Sequence, residues 1–454
     1  MADPIFSPNG KWMWTGSEWI PAPPSSATGA DSTINLEDSM MSGKVNVEQN
    51  SNDASSAINL KDSAMSGDIN ITQNNAEDIA TAMVQALERM GFSSQSSPAT
   101  LTHSQEKEVE LVLEMSDVLS NQGIEIDPWT EIMLGNAASI GGKTNSAEQH
   151  YLRALETFRK NDDRLGEGSA LGNLGNIAFT RGEMHEAERL QQGSLALRRE
   201  TGDREGEGLA LINIGNIREI TGSLAEAERY HREGLDIFKE INDVANQSTA
   251  LGNLGFLAYV QGDLDGAEIY ANEAYDITKG VGDQTGEIGA LGLLAMISKG
   301  KGDYYEAEKL QRSSLTLCQA TGNMEGKMRG LNELGNIMLR LNNLAEAERS
   351  FLESYTIAKT TGSKHTQATA GLNLGGVARE QGDLFKSEQF YVEGIDIFKE
   401  IGDRGGESDA LIGLGTVYNS KGNHDEERKL YTKAVEIKRE LGLQIDQFFI
   451  DNGY

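Results

Sequence analysis

The dipeptide Leu-Gly, or a close variant of it, falls at residue pairs 134/135, 174/175, 214/215, 254/255, 294/295, 334/335, 374/375 and 414/415. The spacing is 40 residues each time and the register never slips. A fixed period of this length constrains the fold more than any local motif does. Each unit is one supersecondary element that cannot bury its apolar face alone, so successive units must stack. Most of the chain is therefore a scaffold, and its function is expected on a surface.

One unit, residues 166–205, reads GEGSALGNLGNIAFTRGEMHEAERLQQGSLALRRETGDRE. Two apolar-periodic stretches are separated at Arg181, Gly182 and Glu183 and closed at Thr201, Gly202 and Asp203, the pattern of a helical hairpin. In the first stretch Leu171, Leu174 and Ala178 share one helical face, and Gly175 lies on it too. A mid-helix glycine costs roughly 1 kcal/mol, so its recurrence implies close approach of the partner helix. The second stretch supplies small residues for that approach: Ala187, Ala227, Ala267, Ala307 and Ala347, then Ser194, Gly234, Ala274, Ser314, Ser354, Gly394 and Ala434. Larger residues, among them Leu195, Ile237, Tyr275, Leu315, Ile357, Ile397 and Ile437, fill the space between layers. Gly182, Gly222, Gly262, Gly302, Gly382 and Gly422 end the first helix in a left-handed turn, and Asn342 substitutes once.

The pattern of Leu171, Leu174, Gly175, Ala178, Ala187 and Ser194 resembles the tetratricopeptide repeat, in the longer form found in kinesin light chains and in spindle-orienting adaptors of heterotrimeric G proteins. The phrase GDREGEGLALINIGN at 202–216 looks most like those adaptors. The resemblance covers residues 128–442, about eight units, and departs from the shorter form in lacking its terminal proline. The first unit is atypical, with Glu131 where the others have Leu or Gly, as expected of a capping unit.

The resemblance implies a mainly α fold, a right-handed α-solenoid whose concave groove, lined by the first helix of each unit, binds a peptide or partner protein. In such repeats the Asn after the glycine often holds a ligand's backbone. Here Asn176, Asn216 and Asn336 keep it, whereas Phe256, Met296, Gly376 and Thr416 replace it. Phe179, Ile212, Ile220, Phe256, Tyr259, Val260 and Met296 then give an apolar lining to one end and the middle. Lys299, Arg329, Arg340 and Arg379, with Asn332 and Asn336 among them, make the other end cationic and suited to a carboxylate. The bland alternative is that these bases pair with the many local glutamates.

Forty Lys+Arg against seventy Asp+Glu leave a net charge of −30, which disfavours nucleic acid and anionic membrane as partners. No stretch of 18 apolar residues exists, and the start MADPIFSP is no signal peptide, so membrane insertion is not expected and a cytoplasmic location is. One cysteine, Cys318, excludes an internal disulfide, and the six scattered histidines show no metal-ligand spacing. The run AASIGGKT at 137–144 mimics a phosphate loop, but it reads as the end of a repeat helix, with Gly142 in the register of Gly182. Glu188, Glu228, Glu268, Glu308 and Glu348 recur at the repeat period, unlike a catalytic acid, which belongs to a unique constellation. No cofactor and no enzymatic activity are expected.

The segments before the array are of another kind. Residues 1–24 hold Trp12, Trp14 and Trp19 beside a Pro8-Asn9-Gly10 turn signal and read as a small aromatic hairpin, followed by a Pro/Ser linker at 25–33. Within 34–75, INLEDSMMSGKVNV (34–47) recurs as INLKDSAMSGDINI (58–71), each copy reading as a short strand pair with edges suited to self-pairing. Helices and a Ser-rich break are expected in 76–127. The stripe Ile79, Met83, Ala86, Leu87 and Met90 could extend a homo-oligomer contact through residues 34–90 as a coiled coil. A tail occupies 443–454. The leading expectation is a non-enzymatic adaptor; the alternatives are a ligand-responsive signalling regulator and a self-assembling structural protein with its tail in a neighbour's groove.

Overall fold

The computed structural model describes residues 76–93, 101–121 and 123–454, together with isolated strand segments before them. The chain divides into two compact units at Leu197/Arg198.

The first unit contains α1 (Ala76–Arg89), α2 (His103–Asn121), α3 (Pro128–Ile140), α4 (Thr144–Lys160), α5 (Arg164–Thr180) and most of α6 (Met184–Thr201). The apolar stripe of α1 is buried: Ile79, Met83, Ala86, Leu87 and Met90 are all in the core, and α1 packs on α2 and α3. The stripe expected to reach a second chain is thus covered by its own, and no apolar face of α1 is left for a coiled coil. Glu131 also finds its reason. Buried on α3, it takes a hydrogen bond at 2.6 Å from His150 Nδ1 and another at 2.9 Å from Arg153 Nε, so a Leu position is filled by a paired carboxylate.

Strands β1 (Ile5–Phe6), β2 (Trp12–Trp14) and β3 (Trp19–Pro21) form an antiparallel sheet. The two 24-residue copies contribute β4 (Ile34–Asn35), β5 (Val45–Asn46), β6 (Ile58–Asn59) and β7 (Ile69–Asn70). These strands pair between the copies and not within one: Ile34 pairs with Ile58 and Val45 with Ile69, in parallel. Matching residues at a fixed offset favour that register. The linker at 25–33 and the rest of residues 1–75 lie outside the described residues, so the expected β-rich domain gains no support beyond these short segments.

The second unit contains α7 (Arg204–Ile220), α8 (Leu224–Glu240), α9 (Val244–Val260), α10 (Leu264–Val281), α11 (Gln284–Gly300), α12 (Tyr304–Thr321), α13 (Met324–Arg340), α14 (Leu344–Thr361), α15 (Lys364–Glu380), α16 (Leu384–Glu400), α17 (Arg404–Ser420), α18 (His424–Glu440) and a short α19 (Gln447–Asp451). Consecutive helices pair as hairpins, α7 with α8 through to α17 with α18.

The residues that set the hairpins are those the period exposes. A Cβ on Gly335 would lie 2.4 Å from Phe351 Cε1, and one on Gly415 2.5 Å from Tyr431 Cε1, so only hydrogen fits there. Ala227, Ala267, Ala307 and Ala347 are fully buried at the crossings. The small serines add hydrogen bonds: Ser354 Oγ donates to the Met328 carbonyl at 2.9 Å and Ser314 Oγ to that of Ile288 at 3.2 Å. Gly222, Gly262, Gly302, Gly382 and Gly422 adopt φ between 74° and 84°, and Asn342 stands at 57°, the left-handed turn that ends each first helix. The next residue but one begins a helix, and at α10, α12, α14, α16 and α18 an Asp or Asn caps it; Asp263 accepts from the Gly266 amide at 2.9 Å.

The tail is engaged in cis. Phe449 is buried against Tyr431 and Val435, and Arg439 donates to the Tyr454 carbonyl at 2.8 Å. This contact accounts for residues 443–454 without a neighbour's groove.

Candidate functional site

In the second unit the first helices pack directly on one another, α7 on α9, α9 on α11, α11 on α13, α13 on α15 and α15 on α17. The second helices are bridged by long side chains instead, as in Lys239 to Glu273 and Arg312 to Glu346. The first-helix side is therefore the tighter, inner one. Polar groups tie it together: Asn253 Nδ2 donates to Asn216 Oδ1 at 3.1 Å, and Asn373 Nδ2 to Asn332 Oδ1 at 2.9 Å.

Several expected lining residues stand on this face with their side chains available. Phe256 is 39%, Val260 52% and Ile220 59% exposed. Tyr259 and Met296 are half-buried beside Ala258, Leu293 and Ile297. Asn216 and Asn336 are half-buried, and Asn336 donates to Glu333 at 3.3 Å. Ile212 is a correction: it is 5% exposed and belongs to the core with Leu235 and Phe238. Its side chain turns into the crevice at Gly234, where a Cβ would lie 3.0 Å from Ile212 Cδ1. In the first unit, described by itself, Asn176 is exposed, its Oδ1 accepts from Gln191 Nε2 at 2.8 Å, and Phe179 is half-buried.

The bases divide. Lys299 is neutralised by Glu333 at 2.6 Å, and Arg329 meets Glu325 at 3.7 Å, with both side chains largely in solvent. Arg340 and Arg379 have no acid within ion-pair distance among the described residues. Arg379 instead lies close enough to oppose, by its charge, the rise that burial imposes on the Tyr391 phenol. The bland reading thus holds for two of the four bases and fails for two.

The periodic glutamates are structural. Glu228 and Glu308 pair along their own helices with Arg232 and Arg312, while Glu268 reaches Lys301 at 2.9 Å and Glu348 reaches Lys386 at 2.6 Å in the following hairpin. Hydrogen bonds from Gln381 and Lys386 hold the Glu348 carboxyl below its ordinary range. Gly142 has φ of 72° and ends α3, so the phosphate-loop mimic is a helix stop. Among the described residues no cluster of His, Cys, Asp and Glu is placed to hold a metal ion, and no helix is long and apolar enough to cross a membrane.

The model of the tetratricopeptide repeat matches residues 128–200, 166–240, 207–280, 286–360 and 366–440. The chain belongs to the tetratricopeptide repeat family. No match is found among curated proteins. Solved structures share the fold at low identity. A Rap protein complexed with competence and sporulation factor is 13% identical, over 81% of this chain and 99% of that one, with a TM-score of 0.54. The apo quorum sensor NprR from B. thuringiensis is 14% identical over 80% and 99%, with a TM-score of 0.54. The Rap conjugation gene regulator of plasmid pLS20 in complex with the Phr* peptide is 13% identical over 81% and 96%, with a TM-score of 0.51. At these identities the likeness is one of fold.

Within the tetratricopeptide units, sequence reasoning overlooked the residue on the second helix that reaches the groove asparagine from behind. Tyr151 donates to Asn136 at 2.8 Å, Gln191 to Asn176 at 2.8 Å, and Tyr431 shares a hydrogen bond of 3.1 Å with Thr416, each fifteen residues apart. The constant offset is a signal the period itself carries. In the α7/α8 hairpin this place belongs to His231, which is wholly buried, with neither ring nitrogen hydrogen-bonded. Burial pushes its pKa down to about 4. The Glu219 carboxylate stands 3.9 Å from its Nε2.

Proposed function

We propose that this tetratricopeptide protein is a non-enzymatic scaffold that holds a peptide, or a peptide-like segment of a partner protein, on the inner face of its second unit. The observation that carries the reading is the combination on one face of exposed Phe256, Ile220 and Val260 with two arginines, Arg340 and Arg379, that no acid among the described residues neutralises. An arginine can take a carboxylate bidentately. Exposed aromatic and aliphatic side chains supply apolar anchors, and Asn216, oriented through its carbonyl by Asn253, keeps its amide hydrogens for a ligand's backbone carbonyl. A protein of like fold, the Rap conjugation gene regulator of plasmid pLS20, is in complex with a peptide.

Charge reversal tests it. Arg340→Glu with Arg379→Glu in the full chain should remove the acidic members from the set of peptides that the protein selects from a random display library. Selection of the same acidic peptides by both proteins would reject the cationic end.

A further inference from the structure

The inner face carries a second charged group, of opposite sign and at the other end. At the four first-helix positions that carry Ile212, Asn216, Glu219 and Ile220, the helices α7, α9 and α11 present Ile, Gly and Gly; Asn, Phe and Met; Glu, Tyr and Lys; and Ile, Val and Gly. Glu219 is the single acid in that set and Lys299 the single base, and Lys299 is held by Glu333. Glu219 is not held. Its side chain is 20% exposed, and among the described residues no donor lies within hydrogen-bond distance of it. The adjacent Arg218 is directed to Glu226, 3.2 Å away.

A carboxylate in this setting keeps an unmet demand for a donor. Burial alone raises its pKa, with no cation acting to lower it. The group behind it does not answer the demand, since His231 is wholly buried against Gly215, where a Cβ would lie 2.5 Å from the ring, and burial disfavours its charged form. At the matching and adjoining positions of α7 and α9 the face carries Ile220, Phe256, Tyr259 and Val260. Such walls suit the methylene stem of a lysine or arginine whose head reaches an acid.

We infer that Glu219 forms a subsite for a cationic side chain of the bound peptide, and this rests on the peptide-groove reading above. With Arg340 and Arg379 unpaired on α13 and α15, the ligand is a dipolar peptide. Its basic residue sits beside apolar anchors over α7 and α9, and its acidic residue lies over α13 and α15. The unpaired charges at the two ends fix the direction in which the chain lies, because reversing it places like charges together at both ends.

The test selects a random twelve-residue display library on the full-length protein and on its Glu219→Gln and Glu219→Arg variants, with helical content checked by circular dichroism. The wild type should enrich peptides with Lys or Arg next to an apolar residue. Glu219→Gln should bind the best such peptide about tenfold more weakly, yet bind its Lys→Met analogue as the wild type does. Glu219→Arg should enrich acidic residues at the same peptide position. Equal loss for the peptide and its Met analogue, or an unchanged basic preference in the variants, overturns the subsite while leaving the groove in place. Failure of the wild type to enrich any peptide overturns the groove reading and the subsite with it.

Discussion

Replacing glycine by alanine should have opposite effects at Gly335 and Gly289. Both lie inside first helices, α13 and α11, with ordinary helical backbone, so each substitution gains the same helix propensity, about 1 kcal/mol. The surroundings differ. Around Gly289 no atom comes within 4 Å of the added Cβ, so Gly289→Ala should stabilise α11 by about that amount. At Gly335 the Cβ would stand 2.4, 2.6 and 2.7 Å from three ring carbons of Phe351. That ring is wholly buried in a cluster with Ala347, Leu374 and Val377 and has no room to retreat. Overpacking of this kind costs about 1–3 kcal/mol, so Gly335→Ala should be net destabilising by up to about 2 kcal/mol. The two variants then differ by about 1–3 kcal/mol whatever value the helix propensity takes, because it cancels. Stacked repeats open locally, so amide hydrogen exchange read helix by helix in the full chain is the suitable assay. Exchange should speed up by up to about 25-fold in α13 and α14 for Gly335→Ala and slow by about fivefold in α11 for Gly289→Ala, at tenfold per 1.4 kcal/mol. Equal protection in both variants would refute the idea that this glycine exists to admit its partner helix.

Two further outcomes follow from single side chains. His231 has a folded pKa of about 4 against about 6.5 when unfolded, so between those values the unfolded state holds a proton that the folded state refuses. Protection of α7 and α8 should therefore be full above pH 6.5 and fall as pH drops toward 4, by about 2–4 kcal/mol, and His231→Phe should flatten the slope. Glu219, whose carboxyl burial raises, acts in the opposite sense, so the slope is best read in a Glu219→Gln background; a slope unchanged by His231→Phe would exclude the histidine as its source. Ile212→Ala should cost about 2–4 kcal/mol in α7 protection while leaving peptide selection intact, whereas Phe256→Ala, on an exposed side chain, should weaken selected peptides and leave protection nearly unchanged; the reverse pattern would show that core and lining have been exchanged.

What was legible in the sequence is what the period repeats. Gly335 and Gly415, the left-handed glycines and the buried alanines recur in every hairpin or nearly so, and a steric demand met many times is visible as spacing. Ile212 was misread because its direction depends on the partner helix. Yet the sequence holds part of the compensation: Ile212 and Leu372, large at their position, meet Gly234 and Gly394 twenty-two residues on. The burial of Glu131 was not legible, since its partners His150 and Arg153 lie on another helix at positions where other units carry Leu190 and Gly193. The α1 stripe announced a partner but not which one; its own chain supplies it through α2 and α3. The charged ends of the face could be listed from the sequence, but which charges remain unpaired required distances: 2.6 Å settles Lys299, and the lack of any such contact distinguishes Arg340 and Arg379.

The most direct measurement is hydrogen exchange of the full chain with and without a library-selected peptide. A peptide on the inner face should slow exchange along α7, α9, α11, α13 and α15 and leave the exposed sides of the second helices unchanged. Protection confined to the second helices, such as α10 and α12, which with Leu291 of α11 line a depression of about 520 Å³ between Tyr275, Leu310 and Leu317, would place binding away from the first-helix face and contradict the account.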